Sequence, residues 1–315
     1  MNLINEIKKL DPQWRVVEHA LLRDYTSFQL GGSCPFLIEG VRAAQLPGLV
    51  ETLNQAQQPF LVIGQGANLV VSDRGLDTAV IRFCSETPTF IAEGNRVTVS
   101  GDTLLDDLAV FTIQNAVGDL SFCTGIPGTV GGGITGNAGA FGRQMGDHFV
   151  SAELLGLDGV VRTVTRDELE FAYRHSKLKE TGEIILFATF ELPFAEVSVM
   201  QAERDRILQF RKEHHPDWHT EPCAGSVFRN VKPTSAAERR TAAGFFLQEA
   251  GAPQLRVGGA RLYEKHANII VADSGCTAQD VWDLSEKMVR AVQEKFDITL
   301  VREVRFLGHF NPTAH

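Results

Sequence analysis

The chain has 315 residues, 43% of them apolar and 22% charged, with a formal charge of −9 and a pI near 5.5. That length suggests about two domains, and the apolar share is sufficient for a large buried core. The acidic balance argues against a general nucleic-acid binder, so any anionic ligand has to be held by local cations and backbone dipoles.

No run reaches the roughly eighteen apolar residues of a spanning helix, and the N-terminal MNLINEIKKLDPQW is too polar for a signal peptide. No membrane partner and a cytoplasmic location are therefore expected. Five cysteines (Cys34, Cys84, Cys123, Cys223, Cys276) are odd in number, widely spaced and form no CxxC, which suggests reduced thiols and no zinc site.

Residues 1–24 read as a short helix and a connector, after which Tyr25-Thr-Ser-Phe-Gln-Leu-Gly-Gly32 turns into a strand Pro35–Glu39. Leu46, Leu49, Val50 and Leu53 give Ala43–Gln57 helical spacing, followed by the apolar strand run Pro59–Gly64. That strand ends in Gly64-Gln65-Gly66-Ala67-Asn68 before Leu69-Val-Val71, so a glycine turn lies where α/β folds hold ligands. It carries neither the Walker lysine nor GxGxxG, and a simple tight turn is the competing reading.

Short β runs (Ala79–Phe83, Thr89–Ala92, Arg96–Ser100) precede a helix opened by Asp102 or Thr103 and stopped by Gly118. Then comes GIPGTVGGGITGNAGAFG, Gly125 to Gly142, with eight glycines and branched apolar residues between them. Linkers draw on Ser and charge instead, so this stretch reads as a cradle whose N–H groups approach an anion, phosphate above all.

Ser151–Leu157 and Gly159–Thr165 form a hairpin about Asp158-Gly159, a brief helix spans Arg166–Glu170, and a strand covers Glu183–Glu191. Residues 195–222 read as a helical, charged connector. Its His215 and His219 do not suit a metal, because Pro216 breaks the helical spacing and no thiol or carboxylate is patterned with them.

Cys223-Ala-Gly-Ser-Val-Phe-Arg-Asn230 is a short β run without the GxSxG of a nucleophile elbow. A helix Ala236–Ala250, strands Arg256–Ala260 and Ala267–Val271, and a helix capped by Thr277 with Asp280 follow; Val281, Leu284, Met288 and Val292 form the last helix's buried stripe. In a terminal strand Ile298–Phe306, alternation sets Glu303 opposite the apolar face.

Together, Tyr25–Gly32, Gly64–Val70, Gly125–Gly132, Asn137–Gly142, Tyr173-Arg-His-Ser, Ala224–Asn230, Glu264-Lys-His-Ala-Asn and Glu303-Val-Arg resemble the UDP-N-acetylenolpyruvoylglucosamine reductase family, in that family's order. The resemblance implies an α+β protein, with a two-part FAD-binding domain of the vanillyl-alcohol-oxidase-like type over residues 1–194 and an α+β substrate domain over residues 195–315. It further implies reduction of the enolpyruvyl ether of a UDP-sugar with FAD and NADPH, in peptidoglycan precursor synthesis. A monomer without metal or nucleic acid is expected.

By the same resemblance, Arg174 and Glu303 stabilise an enolate and Ser226 donates a proton. Gly64, Gln65, Gly66, Ala67, Asn68, Leu69, Gly125, Ile126, Pro127, Gly128, Gly131, Gly132, Asn137, Ala138 and Gly139 are implied to contact FAD. Tyr173, Arg229, Asn230 and Lys265 are implied to contact substrate. Ala67 stands where the family often has serine and Gln29 where a basic residue is frequent, while Gly133 and Gly136 loosen the cradle. The short connection from Ser176 to Glu183 leaves no room for a capping tyrosine loop, which implies the family's second, open-site subtype. A flavin oxidase or dehydrogenase of the same fold acting on a small alcohol or hydroxy acid, and a flavin- or nucleotide-binding module without turnover, are the alternatives.

Overall fold

In the computed structural model, which describes residues 3–118, 120–232 and 240–312, the chain forms two units assembled from interleaved stretches. The first comprises Met1–Glu18, Pro35–Gln65 and Thr78–Arg211, and the second His19–Cys34, Gly66–Asp77 and Lys212–His315.

The first unit contains two sheets. In one, Phe36–Glu39, Ala79–Arg82 and Phe60–Ile63 lie parallel and Arg15–Glu18 pairs antiparallel at the edge. The helix Leu46–Gln55 buries Leu46, Leu49, Val50 and Leu53 in one cluster with Ile38 and Ile81, as their i, i+3, i+4, i+7 spacing requires. The parallel strands share one C-terminal edge, from which the Gly64 turn departs. The other sheet is antiparallel, in the order Val161–Thr165, Phe149–Leu155, Ile184–Glu191, Arg96–Ser100, Phe90–Glu93. Its core gathers Val97, Val99, Leu108, Phe122, Ile134, Leu154 and Phe190.

Two expectations fail in this unit, one of them through a long-range backbone contact. The helix Leu105–Gln114 takes no cap from Asp102 or Thr103: Leu104 is its N-cap, and Leu105 N–H donates to Gly128 O at 3.0 Å. Thr103 is engaged elsewhere, its carbonyl accepting Val130 N–H at 2.8 Å. The helix also ends well before Gly118, because Asn115 caps it and Ala116 turns left-handed at φ 54°. The charged connector is indeed a helix, Val197–His214, but it buries Ile207 and Met200 and so packs within the first unit as far as Arg211.

The second unit has an antiparallel sheet ordered Cys223–Ser226, His266–Ala272, Ala260–Tyr263, Arg256–Val257. Helix Ala278–Phe296 opens with the expected reciprocal cap: Asp280 N–H donates to Thr277 Oγ1 at 3.1 Å and Thr277 N–H to Asp280 Oδ2 at 2.9 Å. Val281, Leu284, Met288 and Val292 are buried beneath it.

The expected strand Arg256–Ala260 is two strands, because Gly258 turns at φ 50° so close to Asp280 that a Cβ would stand 2.4 Å from its carboxylate. Of the expected strand Ile298–Phe306, Arg305–Leu307 pairs parallel with Leu69–Val71, and upstream Arg302 makes an isolated bridge to Phe228. Leu300 and Val304 are nevertheless buried, Val301 and Arg305 exposed and Glu303 half-buried. The expected helix from Ala236 is described as Ala243–Glu249; its first part lies outside the described residues. Among the described residues no helix is long and apolar enough to cross a membrane, and no cluster of three metal-binding side chains occurs.

Candidate active site

Strand Phe60–Ile63 ends at Gly64, where a Cβ would meet Thr129 Oγ1 at 2.5 Å. Gln65 Oε1 then accepts Gly128 N–H at 2.6 Å, so the two glycine loops are tied side chain to backbone. The glycine stretch continues as a short helix, Val130–Thr135, whose cap Thr129 accepts Gly132 N–H at 3.4 Å. A Cβ on Gly133 would stand 2.9 Å from Leu105 Cδ2, so this glycine lets the buried Leu105 side chain pack against the short helix. On Gly128 or Gly132 a Cβ would stand in ordinary van der Waals contact, at 3.9 and 3.6 Å from its nearest neighbour.

Their amides are mostly spent within the fold. Gly125 N–H donates to Asp106, Ile126 N–H to Cys123 O, Gly128 N–H to Gln65 and Gly131 N–H to Gly101 O. The N–H groups of Gln65, Gly66, Ala67 and Asn68, by contrast, donate to no group among the described residues. Gly66 sits at φ 71° with its Cβ direction 2.1 Å from Tyr25 O, a position only glycine fills. Consecutive unspent amides in such a turn form an anion-holding concavity. Leu69 is buried in the strand that follows, Pro127 is exposed, and Ile126 and Ala138 pack on the first unit's core.

The far end of the glycine stretch positions Arg174. Asn137 is fully buried; its Nδ2 donates to Ala172 O at 2.9 Å and Gln144 Oε1 at 3.0 Å, and its Oδ1 accepts Gly146 N–H at 2.9 Å. Ala172 and His175 close a tight turn in which Arg174 adopts φ 54°. Arg174 Nη2 donates to Gly139 O at 2.9 Å, Lys179 Nζ donates to Arg174 O at 2.7 Å, and the guanidinium lies 5.4 Å from the Tyr173 ring centre.

A latch not evident from sequence holds the near end. Arg204 binds Asp106 through both nitrogens at 2.7 and 2.8 Å and reaches Thr124 Oγ1 at 3.1 Å. Arg211 Nε donates to Thr124 O at 2.8 Å. Burial acts to raise the Asp106 carboxyl, but hydrogen bonds from Arg204 and Gly125 outweigh it and hold the group below its ordinary value; burial lowers that of Arg211. The available signal was spacing: Arg204 and Arg211, with Ile207 between them, share one helix face.

In the second unit, Ser226 ends its strand opposite Ile269, and the irregularity before it, with Gly225 at φ 69°, leaves Ser226 exposed. Buried Ser27 donates to Cys223 O at 2.8 Å and lies 3.3 Å from Ala67 O. Asn268 completes the ladder with its side chain: Oδ1 accepts Phe228 N–H at 3.0 Å and Nδ2 donates to Phe228 O at 2.8 Å. Val227 O accepts Glu303 N–H at 2.7 Å, and Asn68 Nδ2 donates to Glu303 O at 3.2 Å. Asn68, Ser226 and Glu303 are thus gathered about Val227. Ser27 and Asn268 were missed; a lone amide in the apolar run Ala267-Asn-Ile-Ile-Val was the usable clue.

Arg229 N–H donates to Val301 O, while its buried Nε has no hydrogen-bond partner among the described residues. Asn230 Oδ1 accepts Ala243 N–H at 3.3 Å, and Lys265 is exposed in the turn after Tyr263. Burial lowers the His266 pKa, and its ring lies 5.8 Å from that of His215.

An α+β chain with a glycine turn of unspent amides and a further sheet that presents a serine has the layout of a flavoprotein, an FAD-binding domain joined to a C-terminal domain. A family model described as an FAD binding domain matches residues 37–165, and one described as the C-terminal domain of UDP-N-acetylenolpyruvoylglucosamine reductase matches residues 216–307. The chain is 32% identical over 308 residues to the UDP-N-acetylenolpyruvoylglucosamine reductase of Bacillus velezensis, covering 98% of each. It is 35% identical over 312 residues to reductase 1 of Bacillus anthracis, covering 97% of this chain and 99% of that one. The crystal structure of the Thermus caldophilus reductase (MurB) superposes with a TM-score of 0.75 at 30% identity, over 94% of this chain and 100% of the other. The chain belongs to the UDP-N-acetylenolpyruvoylglucosamine reductase family.

Proposed function

We infer that the chain is an NADPH-dependent FAD enzyme that reduces UDP-N-acetylglucosamine enolpyruvate to UDP-N-acetylmuramate in peptidoglycan precursor synthesis. The observation that carries this is identity to such reductases over nearly the full length of the chain. FAD fits the residues present: the consecutive unspent amides of Gln65 to Asn68 suit its pyrophosphate. Gly125, Ile126, Gly131, Asn137, Ala138 and Gly139 then shape the site through the fold instead of donating to the cofactor.

Bound at this turn and reduced by NADPH, FAD would supply the hydride that the enolpyruvyl β-carbon accepts. The C=C electron pair moves toward the substrate carboxylate, where Arg174 offers a planar fork to the growing charge and Glu303 a carboxyl able to carry a proton. Ser226 protonates the α-carbon, completing addition of hydride and proton across the double bond. Its alkoxide is short-lived, because Ser226 is exposed and regains a proton from water. Arg229, with its unspent Nε, and Asn230 and Lys265 hold the diphosphate and uridine, and Tyr173 lines the site beside Arg174.

We propose that residues 1–194 bind FAD and residues 195–315 bind substrate, with the exception of helix Val197–His214, which packs within the first unit as far as Arg211. Residues 177–183 are filled by the helix Leu178–Thr181 and Gly182, which supports the open-site subtype. NADPH and a nucleotide sugar are cytoplasmic solutes, so we place the enzyme there, acting as a monomer.

The test is anaerobic mixing of the purified yellow protein with NADPH and then the UDP-sugar enolpyruvyl ether. Bleaching by NADPH, recovery of colour with substrate and one UDP-N-acetylmuramate per NADPH are expected. Reoxidation only by oxygen, with turnover of small alcohols, would instead establish the oxidase; a colourless protein that takes up no flavin would exclude both.

A further inference from the structure

The alternation from Ile298 to Phe306 has one break. Ile298, Leu300, Val304 and Phe306 share a face, and the place on it between Leu300 and Val304 is taken by Arg302. The folded chain keeps this arrangement: Leu300 and Val304 are buried, and the Arg302 side chain beside them is only 25% exposed. An apolar residue would complete the stripe, and exchanging a buried ion pair for apolar packing is often neutral or stabilising, so stability alone gives no reason for an arginine here.

The contacts of Arg302 fix orientation. Its Nε donates to Ser285 Oγ at 3.1 Å and its Nη2 donates to Glu286 Oε1, both on helix Ala278–Phe296. Ser285 is fully buried and set by its own bond to Trp282 O at 2.7 Å. The guanidinium also lies 4.7 Å from the Trp282 ring centre and 5.7 Å from that of Phe306. A planar fork held at two edges and on its face has little freedom to turn.

In front of this clamp, the backbone meets the strand of Ser226 at the isolated bridge between Arg302 and Phe228. The bridge is closed by Arg229 N–H to Val301 O at 2.9 Å and Glu303 N–H to Val227 O at 2.7 Å. Asn268 holds Phe228 from its far side through both its N–H and its carbonyl. Asn268 thus fixes the segment that carries Ser226, and Arg302 fixes the segment that carries Glu303. Successive side chains of an extended segment leave on opposite faces, so anchoring Arg302 to the helix sets the direction in which Glu303 departs.

We propose that Arg302 is a positioning residue for the reaction: clamped to Ser285, Glu286 and Trp282 behind the bridge, it fixes the direction of the Glu303 carboxyl relative to Ser226. It acts through Glu303 alone. The proposal rests on Glu303 taking part in the reduction described above.

Flavin-loaded wild type, Arg302→Met, Glu303→Gln and the double variant are compared by stopped flow and steady-state kinetics. Methionine keeps an unbranched chain that packs against Trp282 and Phe306 but bonds to neither Ser285 nor Glu286. Arg302→Met should slow flavin reoxidation by the UDP-sugar enolpyruvyl ether about ten- to a hundredfold, the scale of a misplaced catalytic group, with KM and flavin reduction by NADPH near wild type. In the Glu303→Gln background the same change should add no further loss, because the group it positions has already been disabled. Arg302→Lys, which keeps the charge beside Glu286, should recover part of the rate. Wild-type reoxidation in Arg302→Met, or losses that multiply in the double variant, overturns the positioning role while Glu303 keeps its own. Equal slowing of both half-reactions marks a purely structural arginine and overturns it too. Normal turnover of Glu303→Gln overturns the reading of Glu303 and this proposal together. If Arg302→Met does not fold, Glu286→Ala frees one edge of the fork and enters the same cycle with Glu303→Gln, where multiplying losses overturn the proposal.

Discussion

Gln65 Oε1 accepts the N–H of Gly128 at 2.6 Å, so the first residue of the turn that offers unspent amides is fastened to the second glycine loop. Gln65→Leu keeps the size but removes the acceptor, leaving Gly128 N–H half-buried without its partner. Such a loss costs roughly 1–2 kcal/mol, or about 5- to 30-fold in an equilibrium constant. FAD should dissociate correspondingly more readily, measured by flavin fluorescence on dilution, whereas the apoprotein should melt within a few degrees of wild type. An unchanged FAD dissociation constant would show that the tie does not preorganise the site.

What the sequence made legible was local chemistry. Thr277 and Asp280 are three residues apart and cap their helix without outside help, and Asp158-Gly159 fixes its hairpin within a few residues. What it hid was long-range competition for backbone groups. Leu105 N–H is satisfied by Gly128 O, so Asp102 was free to be buried elsewhere. The alternation from Ile298 to Phe306 did identify the buried and exposed faces, yet the segment divides its pairing between Phe228 and Leu69–Val71. The glycine loops stand out in the sequence; which of their amides remain unspent could be told only after every internal acceptor had been placed.

Asp106 couples the latch to pH. Its folded-state pKa lies below its unfolded value, so its contribution to stability is full above the unfolded value of about 4 and is lost as pH falls through the folded one. Asp106→Asn should lower Tm at neutral pH by about 2–4 °C, the effect of roughly 1 kcal/mol in a chain of this size. Below about pH 4 the wild-type and variant curves should converge. Parallel curves from neutral to acid in differential scanning calorimetry would remove Asp106 as the source.

Arg174→Lys tests where the guanidinium acts. Lysine keeps the charge but replaces a planar fork by a point, so flavin reoxidation by substrate should slow by at least about tenfold while flavin reduction by NADPH stays near wild type. Stopped-flow traces in which both halves slow equally would place Arg174 in general site architecture, in keeping with its bond to Gly139 O.

Glu303→Gln is close to isosteric, and the backbone bonds of Glu303 to Val227 and Asn68 do not depend on its carboxyl. Melting should be unchanged and turnover should fall by about two orders of magnitude or more, the scale of a positioned proton-carrying group. Normal turnover in a normally melting variant would reduce Glu303 to a half-buried surface carboxylate.

Ser226 can be separated from a packing residue because its side chain is exposed while its backbone is fixed by the strand opposite Ile269 and by Asn268 one step further on. Alanine removes the proton without disturbing those bonds; cysteine retains a proton on a group of similar size. A thiol, with a reference pKa of about 8.5, is a stronger acid than an alcohol and can still donate at neutral pH. Ser226→Ala should therefore lose at least roughly a hundredfold in turnover while NADPH bleaches its flavin at the normal rate, and Ser226→Cys should retain clearly more activity than alanine. In deuterated water, the product formed by the cysteine variant should still carry deuterium at the α-carbon with wild-type stereochemistry. Wild-type turnover in the alanine variant would assign the proton to water near Gly225. Two equally inactive variants with intact flavin reduction and substrate binding would likewise exclude Ser226 as donor, since the stronger acid at the same position would have failed to replace it.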